Sequence, residues 1–323
     1  MEHAPYHAGI AAGPRDAAAF WITADDGVRL RVGVFHRAAA SGTVLLFPGR
    51  TEYVEKYGRA AHDLATLGYA TLVIDWRGQG LADRLITDPM SGHVTAFADY
   101  QRDVSAMLDA AAALELPRPY HLLAHSMGGC IGLRSVMEGL PVASCAFSAP
   151  MWGIKLSNTL RVMAWSVSWG SKRVGLDHAY APTSTSDAAY VLTEPFEDNK
   201  LTRDREMYQY MIDQTIAVPE LALGGPSLRW LHESLVEMRD LARRPSPGLP
   251  CITFAGTEET VVDLERINAR MDHWPGARME WIEGARHEVL METEETRERI
   301  FRELAAFFAA NAASDALRLS RPA

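Results

Sequence analysis

The sequence predicts the α/β class: a mostly parallel eight-stranded sheet, helices on both faces, and one inserted helical cap. Three observations lead there. Short apolar runs fit for buried strands alternate with stretches of helical spacing. Several of these runs end abruptly at small or turn-forming residues, as at Pro48-Gly49, Gly78-Gln79-Gly80 and Ala124-His125-Ser126. The alternation breaks once, between about Met151 and Pro226, and then resumes.

In order along the chain, residues 1 to about 18 are rich in Ala, Gly and Pro and read as a loose lead-in. Phe20–Thr23 and Arg29–Phe35 read as two strands joined at the turn Asp25-Asp26-Gly27. Thr43–Phe47 is a short run fit for burial on both faces. A helical stretch follows with Tyr53, Tyr57, Ala60, Ala61, Leu64 and Leu67 on one side, stopped by Gly68. Ala70–Asp75 is the next strand, and Asp75 is expected to brace the turn at Arg77. Phe97, Tyr100, Val104, Leu108 and Ala111 mark a second helix. Strands then follow at Tyr120–Ala124 and Ala143–Ser148.

The predicted cap, 151–226, is rich in Trp and Met and helix-prone. It divides a catalytic body of residues 1–150 and 227–311, with 312–323 as a frayed tail. The rhythm resumes with a helix over 227–243, strands at Cys251–Ala255 and Arg278–Ile282, and a final helix carrying Ile300, Leu304, Phe307 and Phe308.

Composition removes several function classes. Of 323 residues, 48% are hydrophobic and 23% charged, as expected of a globular chain, and the formal net charge of −9 is the wrong sign for a nucleic-acid partner. Cys130, Cys145 and Cys251 lie in apolar runs without metal-ligand spacing and read as buried core thiols. No secretory signal and no apolar run of membrane-spanning length is visible, so a cytoplasmic location is expected. Peripheral contact with the inner face of the membrane through the cap stays open.

The chemistry concentrates at Ala124-His125-Ser126-Met127-Gly128. A serine on a tight strand-to-helix turn, with small residues two before and two after it, is the arrangement of a nucleophile elbow. Two later loops supply partners in the order this architecture uses, an acid and then a histidine. Gly256–Asp263 follows the next-to-last strand and Gly284-Ala285-Arg286-His287-Glu288 the last. His287 is the expected base and Glu259 the expected acid, with Glu258 and Asp263 as competitors; His273, His93 and His125 rank behind His287. Two amides are needed to hold the oxyanion. The N–H of Met127 is one, and the N–H of Arg50, in the Pro48-Gly49-Arg50 loop, is the other. Gly78-Gln79-Gly80 lacks the full dinucleotide fingerprint, and Glu258-Glu259 has no companions for a metal. No cofactor is expected.

Several motifs in fixed order resemble the α/β-hydrolase branch of bacterial lysophospholipases and monoacylglycerol lipases. They are Leu122–Gly129, Asp75–Gly80, Gly92-His93-Val94, Ala149-Pro150-Met151, Glu258–Asp263 and Gly284–Glu288, within a match spanning roughly residues 20 to 310. The resemblance implies Ser126 as nucleophile, His287 as base, Glu259 as acid, and an acyl ester or lysolipid as substrate. The same broad family includes serine aminopeptidases. A peptidase would need a cap acid for the substrate amine, for which Glu194, Glu197 and Asp198 are candidates. A non-catalytic binding protein of the same fold is the remaining alternative. Leu156, Leu160, Met163 and Val167, with Trp165 and Trp169, give the cap an apolar face for an acyl chain, a bilayer surface, or simple packing. Lys155, Arg161, Lys172 and Arg173 nearby are candidates for lipid phosphate.

Overall fold

Short aliphatic and β-branched runs become the strands of one sheet in the computed structural model, which describes residues 1–182 and 188–313. They are β1 (Glu2–Ala4), β2 (Ala18–Thr23), β3 (Arg29–Phe35), β4 (Thr43–Phe47), β5 (Ala70–Asp75), β6 (Tyr120–His125), β7 (Ser144–Ser148), β8 (Cys251–Gly256) and β9 (Arg278–Ile282). The sheet order is β1-β2-β3-β5-β4-β6-β7-β8-β9. From β5 to β9 in that order neighbours run parallel, whereas β1, β2 and β3 pair antiparallel. The chain-order exchange of β4 and β5 places β4 beside β6, so the loops after both strands open at the same edge.

The helices are α1 (Ala8–Ala11), α2 (Gly58–Thr66), α3 (Tyr100–Ala113), α4 (Ser126–Met137), α5 (Asn158–Arg173), α6 (Tyr190–Thr193), α7 (Arg205–Ala217), α8 (Leu228–Arg243), α9 (Leu264–Asp272) and α10 (Glu294–Asn311). The period of two along each strand sorts its side chains between two cores. Leu45, Phe47, Leu122 and Phe147 join Val104, Ile131, Met238 and Ile267 from α3, α4, α8 and α9. Val44, Leu46, Leu123 and Ile252 join Leu64 of α2 and Ile300, Leu304 and Phe308 of α10. A sheet apolar on both faces is thus covered on both, the requirement for a parallel array.

One expectation needs correction. The first residues are not a loose lead-in. β1 adds a ninth strand, Tyr6 packs edge-on to Phe35, and Tyr210 Oη donates to Ala11 O at 2.6 Å. These partners are distant in sequence, so no local periodicity announces them. Asp75 braces the turn at Arg77 through the Leu81 amide and not through the Arg77 side chain. It accepts from Arg31 Nε at 2.7 Å and from the amides of Val54 and Leu81, while Arg77 is held by Asp103 and Asp26. Gly80 is required beside it, because a Cβ there would lie 2.2 Å from Asp75 Cγ. The helical segment between β7 and β8 has two parts. α5 lies along α8, while α6 and α7 pack together over α1 and the turn Val54–Tyr57. The tail beyond residue 313 lies outside the described residues. Cys130, Cys145 and Cys251 are buried and unbridged.

Candidate active site

The turn from β6 into α4 is tight. Ser126 sits at φ 49°, a left-handed conformation that costs a non-glycine residue about 1–3 kcal/mol and survives only where its surroundings enforce it. They do so by close packing. A Cβ at Gly128 would fall 2.1 Å from Phe47 O and 2.5 Å from Pro48 O, and one at Gly132 would fall 3.2 Å from Ala124 Cβ. The small residues around the serine therefore let α4 press against the end of β4. Gly49 completes the junction, with its own Cβ position 3.1 Å from Ser126 Cβ.

Ser126 Oγ lies 2.9 Å from His287 Nε2, and His287 Nδ1 lies 2.6 Å from Glu259 Oε2. The other oxygen of Glu259 accepts from Val261 N at 2.5 Å and Val262 N at 3.1 Å, which fixes the carboxylate. Burial opposes the charge on Glu259, but the adjacent imidazole and the two amides outweigh it and hold its pKa below the ordinary carboxylate value. Glu258 is exposed on the same loop, and Asp263 caps α9 through the amides of Glu265 and Arg266. The geometry thus brings Glu259, and neither competitor, to His287. His93 bonds Ser227 Oγ and His273 bonds Ala269 O.

Met127 occupies the first turn of α4, where an amide has no acceptor within its own helix. Among the described residues, neither its N–H nor that of Arg50 has a hydrogen-bond acceptor. The neighbouring Gly49 N–H is instead taken by Glu52 Oε2.

That glutamate belongs to a buried polar cluster the sequence did not disclose. Glu52 also accepts from Lys56 Nζ and Tyr57 Oη, and Lys56 Nζ reaches Glu288 Oε1 at 2.7 Å. His125 joins from the other side, with Nε2 3.3 Å from Glu288 Oε2 and Nδ1 3.0 Å from Ser148 O. Burial works against a positive charge on Lys56 and on His125, but Glu288 and Glu52 prevail and raise the pKa of each. Glu52, His125 and Glu288 offer three potential metal-ligand atoms within 4.8 Å of one another. The Lys56 ammonium already bridges the two carboxylates, so the cluster has its cation. The Glu52–Lys56 spacing of one helical turn was the one signal in the sequence that could have exposed it.

A cavity of about 420 Å³ opens over Ser126 and His287. Leu201, Met211, Leu221, Leu223 and Val261 give it apolar walls, and Arg50, Lys155 and Lys200 line it together with Glu52, Lys56 and Glu288 of the buried cluster. Glu194, Glu197 and Asp198, the acids considered for an amine, are absent from its lining. The apolar face of α5 borders a separate groove of about 210 Å³, formed by Leu156, Leu160, Met163 and Val167 with Trp230 and Leu231. Three of the nearby cations have partners: Arg161 meets Asp263, Lys172 meets Glu233, and Arg173 stacks on Trp169.

A serine at positive φ between β6 and α4, on a sheet of this order, defines the α/β-hydrolase class. Residues 38–294 match the family described as "Serine aminopeptidase, S33", and the chain belongs to that family. It is 31% identical over 303 residues to lysophospholipase L2 of Escherichia coli strain K12, covering 91% of this chain and 87% of that protein. It is 28% identical over 272 residues to the probable lysophospholipase L2 of Haemophilus influenzae, covering 84% of each. A soluble variant of monoglyceride lipase from Saccharomyces cerevisiae superposes with a TM-score of 0.69 over 90% of this chain and 94% of that one, at 18% identity. The chain is accordingly a lipase-like α/β-hydrolase. Among the described residues no helix is long and apolar enough to cross a membrane.

Proposed function

We propose that the protein hydrolyses the carboxylic ester of single-chain glycerolipids, lysophospholipids foremost and monoacylglycerols second, through an acyl-enzyme on Ser126. The observation that carries this reading is the continuous relay from Ser126 Oγ through His287 to Glu259, at 2.9 and 2.6 Å. Ser126 attacks the acyl carbonyl while His287 Nε2 takes its proton. Glu259, held ionised, fixes Nδ1–H and stabilises the imidazolium. The amides of Met127 and Arg50 receive the developing oxyanion, and removing one such donor typically costs about 10²–10³ in rate. His287 returns the proton to the departing glycerol oxygen, and water then releases the fatty acid by the reverse sequence. In this reading residues 151–226 serve as the cap over the site.

Substrate class rests on the apolar cavity wall and on the lysophospholipase relatives. The carboxylates that line the cavity, Glu52 and Glu288, are already paired with Lys56, and Arg50, Lys155 and Lys200 add positive charge, which weighs against binding a protonated amine and so against aminopeptidase action. The test is labelling by a fluorophosphonate with Ser126→Ala as control, together with rates on lysophospholipids, monoacylglycerols and aminoacyl amides. Ester turnover lost in Ser126→Ala is the expected result; turnover of the amides alone would refute the assignment.

A further inference from the structure

Arg50 differs from the other inward-facing arginines. Arg31 is held by Glu55 and Asp75, Arg77 by Asp26 and Asp103, and Arg134 by Glu237 and Glu138. Arg84 and Arg270 lack a carboxylate but each reaches three acceptors, although Nη1 of Arg84 is left without one. Arg50 has neither resource among the described residues. Its Nη1 donates to Gly224 O at 2.9 Å, and its guanidinium carbon lies 5.6 Å from the centre of the Trp230 ring. Burial pulls its pKa down to about 10, so it stays charged at neutral pH.

A guanidinium carries five N–H donors in a planar fork that matches phosphate oxygens. Arg50 is only partly buried, and its remaining N–H groups are open to solvent, free to take up the oxygens of an anion. The acids closest in sequence are not available, since Glu52 is committed to Gly49, Lys56 and Tyr57, and Glu55 to Arg31. Lys155 and Lys200 line the same cavity, and among the described residues neither has an ion-pair partner. Lys56 in the same lining is paired with Glu52 and Glu288, so Arg50, Lys155 and Lys200 are the lining cations without a carboxylate partner among the described residues, beside an apolar wall and one nucleophile.

We propose that Arg50 reads the substrate's head group: its guanidinium binds the phosphodiester of a lysophospholipid while its backbone amide faces the ester carbonyl. Lys155 and Lys200 add positive charge around the same anion. A lysophospholipid places its phosphate one glycerol unit from the scissile ester, and the Arg50 side chain separates backbone from guanidinium on a similar scale. The inference rests on the ester-hydrolase reading above and makes the charged head group a determinant of selectivity.

The test is the ratio of kcat/KM for a 1-acyl lysophospholipid to that for the 1-monoacylglycerol of identical chain, in wild type, Arg50→Met and Arg50→Lys. The ratio cancels any effect on chemistry common to both substrates. It should fall roughly tenfold or more in Arg50→Met, the scale of a lost charged hydrogen bond, and recover in part in Arg50→Lys. An unchanged ratio, with wild type active on both lipids, overturns the role of Arg50 and leaves the hydrolase reading intact. Wild type cleaving only the monoacylglycerol overturns the lysophospholipid assignment as well.

A second measurement needs no variant. A non-hydrolysable 1-alkyl lysophospholipid should inhibit wild type at least tenfold more tightly than the matching 1-alkyl glycerol, with the gap narrowing as salt rises. Equal inhibition by the two refutes the proposal. Inorganic phosphate should fail to inhibit at concentrations where the ether lipid saturates; inhibition by it at those concentrations would assign the site to free phosphate and overturn the lipid source.

Discussion

Gly128→Ala sets two effects of opposite sign against each other. Position 128 lies inside α4, and helix propensity alone makes alanine better than glycine by about 1 kcal/mol. The structure puts the new methyl 2.1 Å from Phe47 O and 2.5 Å from Pro48 O, where ordinary contacts begin near 3.4 Å. Both obstacles are main-chain carbonyls, so no side chain can rotate away, and α4 or the end of β4 must move by about an ångström. Overpacking of this kind costs about 1–3 kcal/mol and should outweigh the propensity gain. The larger effect is on rate. The same shift displaces Gly49 and Arg50 relative to Ser126, and an ångström of misplacement typically removes about 10² in turnover. Steady-state hydrolysis of a short-chain chromogenic ester gives kcat, and thermal unfolding gives stability, with Gly170→Ala as control. Gly170 sits in α5 with nothing within 4 Å of its Cβ position, so that variant should be neutral or slightly stabilised. Gly128→Ala with wild-type kcat and an undiminished Tm would refute this account of the elbow.

Glu259→Gln should lower kcat by a factor on the order of 10³–10⁴, as expected when the acid that orients a catalytic imidazole is neutralised, whereas Glu258→Gln should stay within about twofold. Steady-state kinetics on both variants checks the choice of acid, and equal losses would reverse it. The folded pKa of Glu259 is depressed, so its contribution to stability is complete above the unfolded value of about 4.3 and is lost as pH falls through the lower folded value. Thermal unfolding of wild type and Glu259→Gln should show a gap that closes with acidification; a gap that widens would contradict that sign. Glu52→Ala strips the acceptor from Gly49 N–H, Lys56 and Tyr57 at once. It should cost about 3–5 kcal/mol in denaturant titrations and depress kcat with it; an unchanged midpoint would show the cluster to be energetically idle.

Much of this architecture was legible because the signals were local. The runs Thr43–Phe47 and Ala70–Asp75 announce buried strands by composition, and Ser126 and His287 stand just past strand ends, where the fold class collects its chemistry. Choosing among Glu258, Glu259 and Asp263 needed three dimensions, because neighbours in one loop differ only in where the backbone aims them. The ion pair of Asp75 went unread for a related reason. Its partner Arg31 lies on the adjacent antiparallel strand and is invisible to a reading that looks only a few residues ahead. The cluster of Glu52, Lys56, His125 and Glu288 escaped because it joins the loop after β4, the end of β6 and the loop after β9.

The cavity over Ser126 is assembled from two sources. Its floor comes from strand-end loops, while Tyr190, Val191, Leu201 and Met211 come from the excursion between β7 and β8. The same excursion also braces the relay, because Lys200 O accepts from His287 N–H at 3.3 Å and Leu201 O from Glu288 N–H at 2.7 Å. Grafting a different excursion between the same two strands should therefore retune which acyl partner is accepted only where those two carbonyls are reproduced.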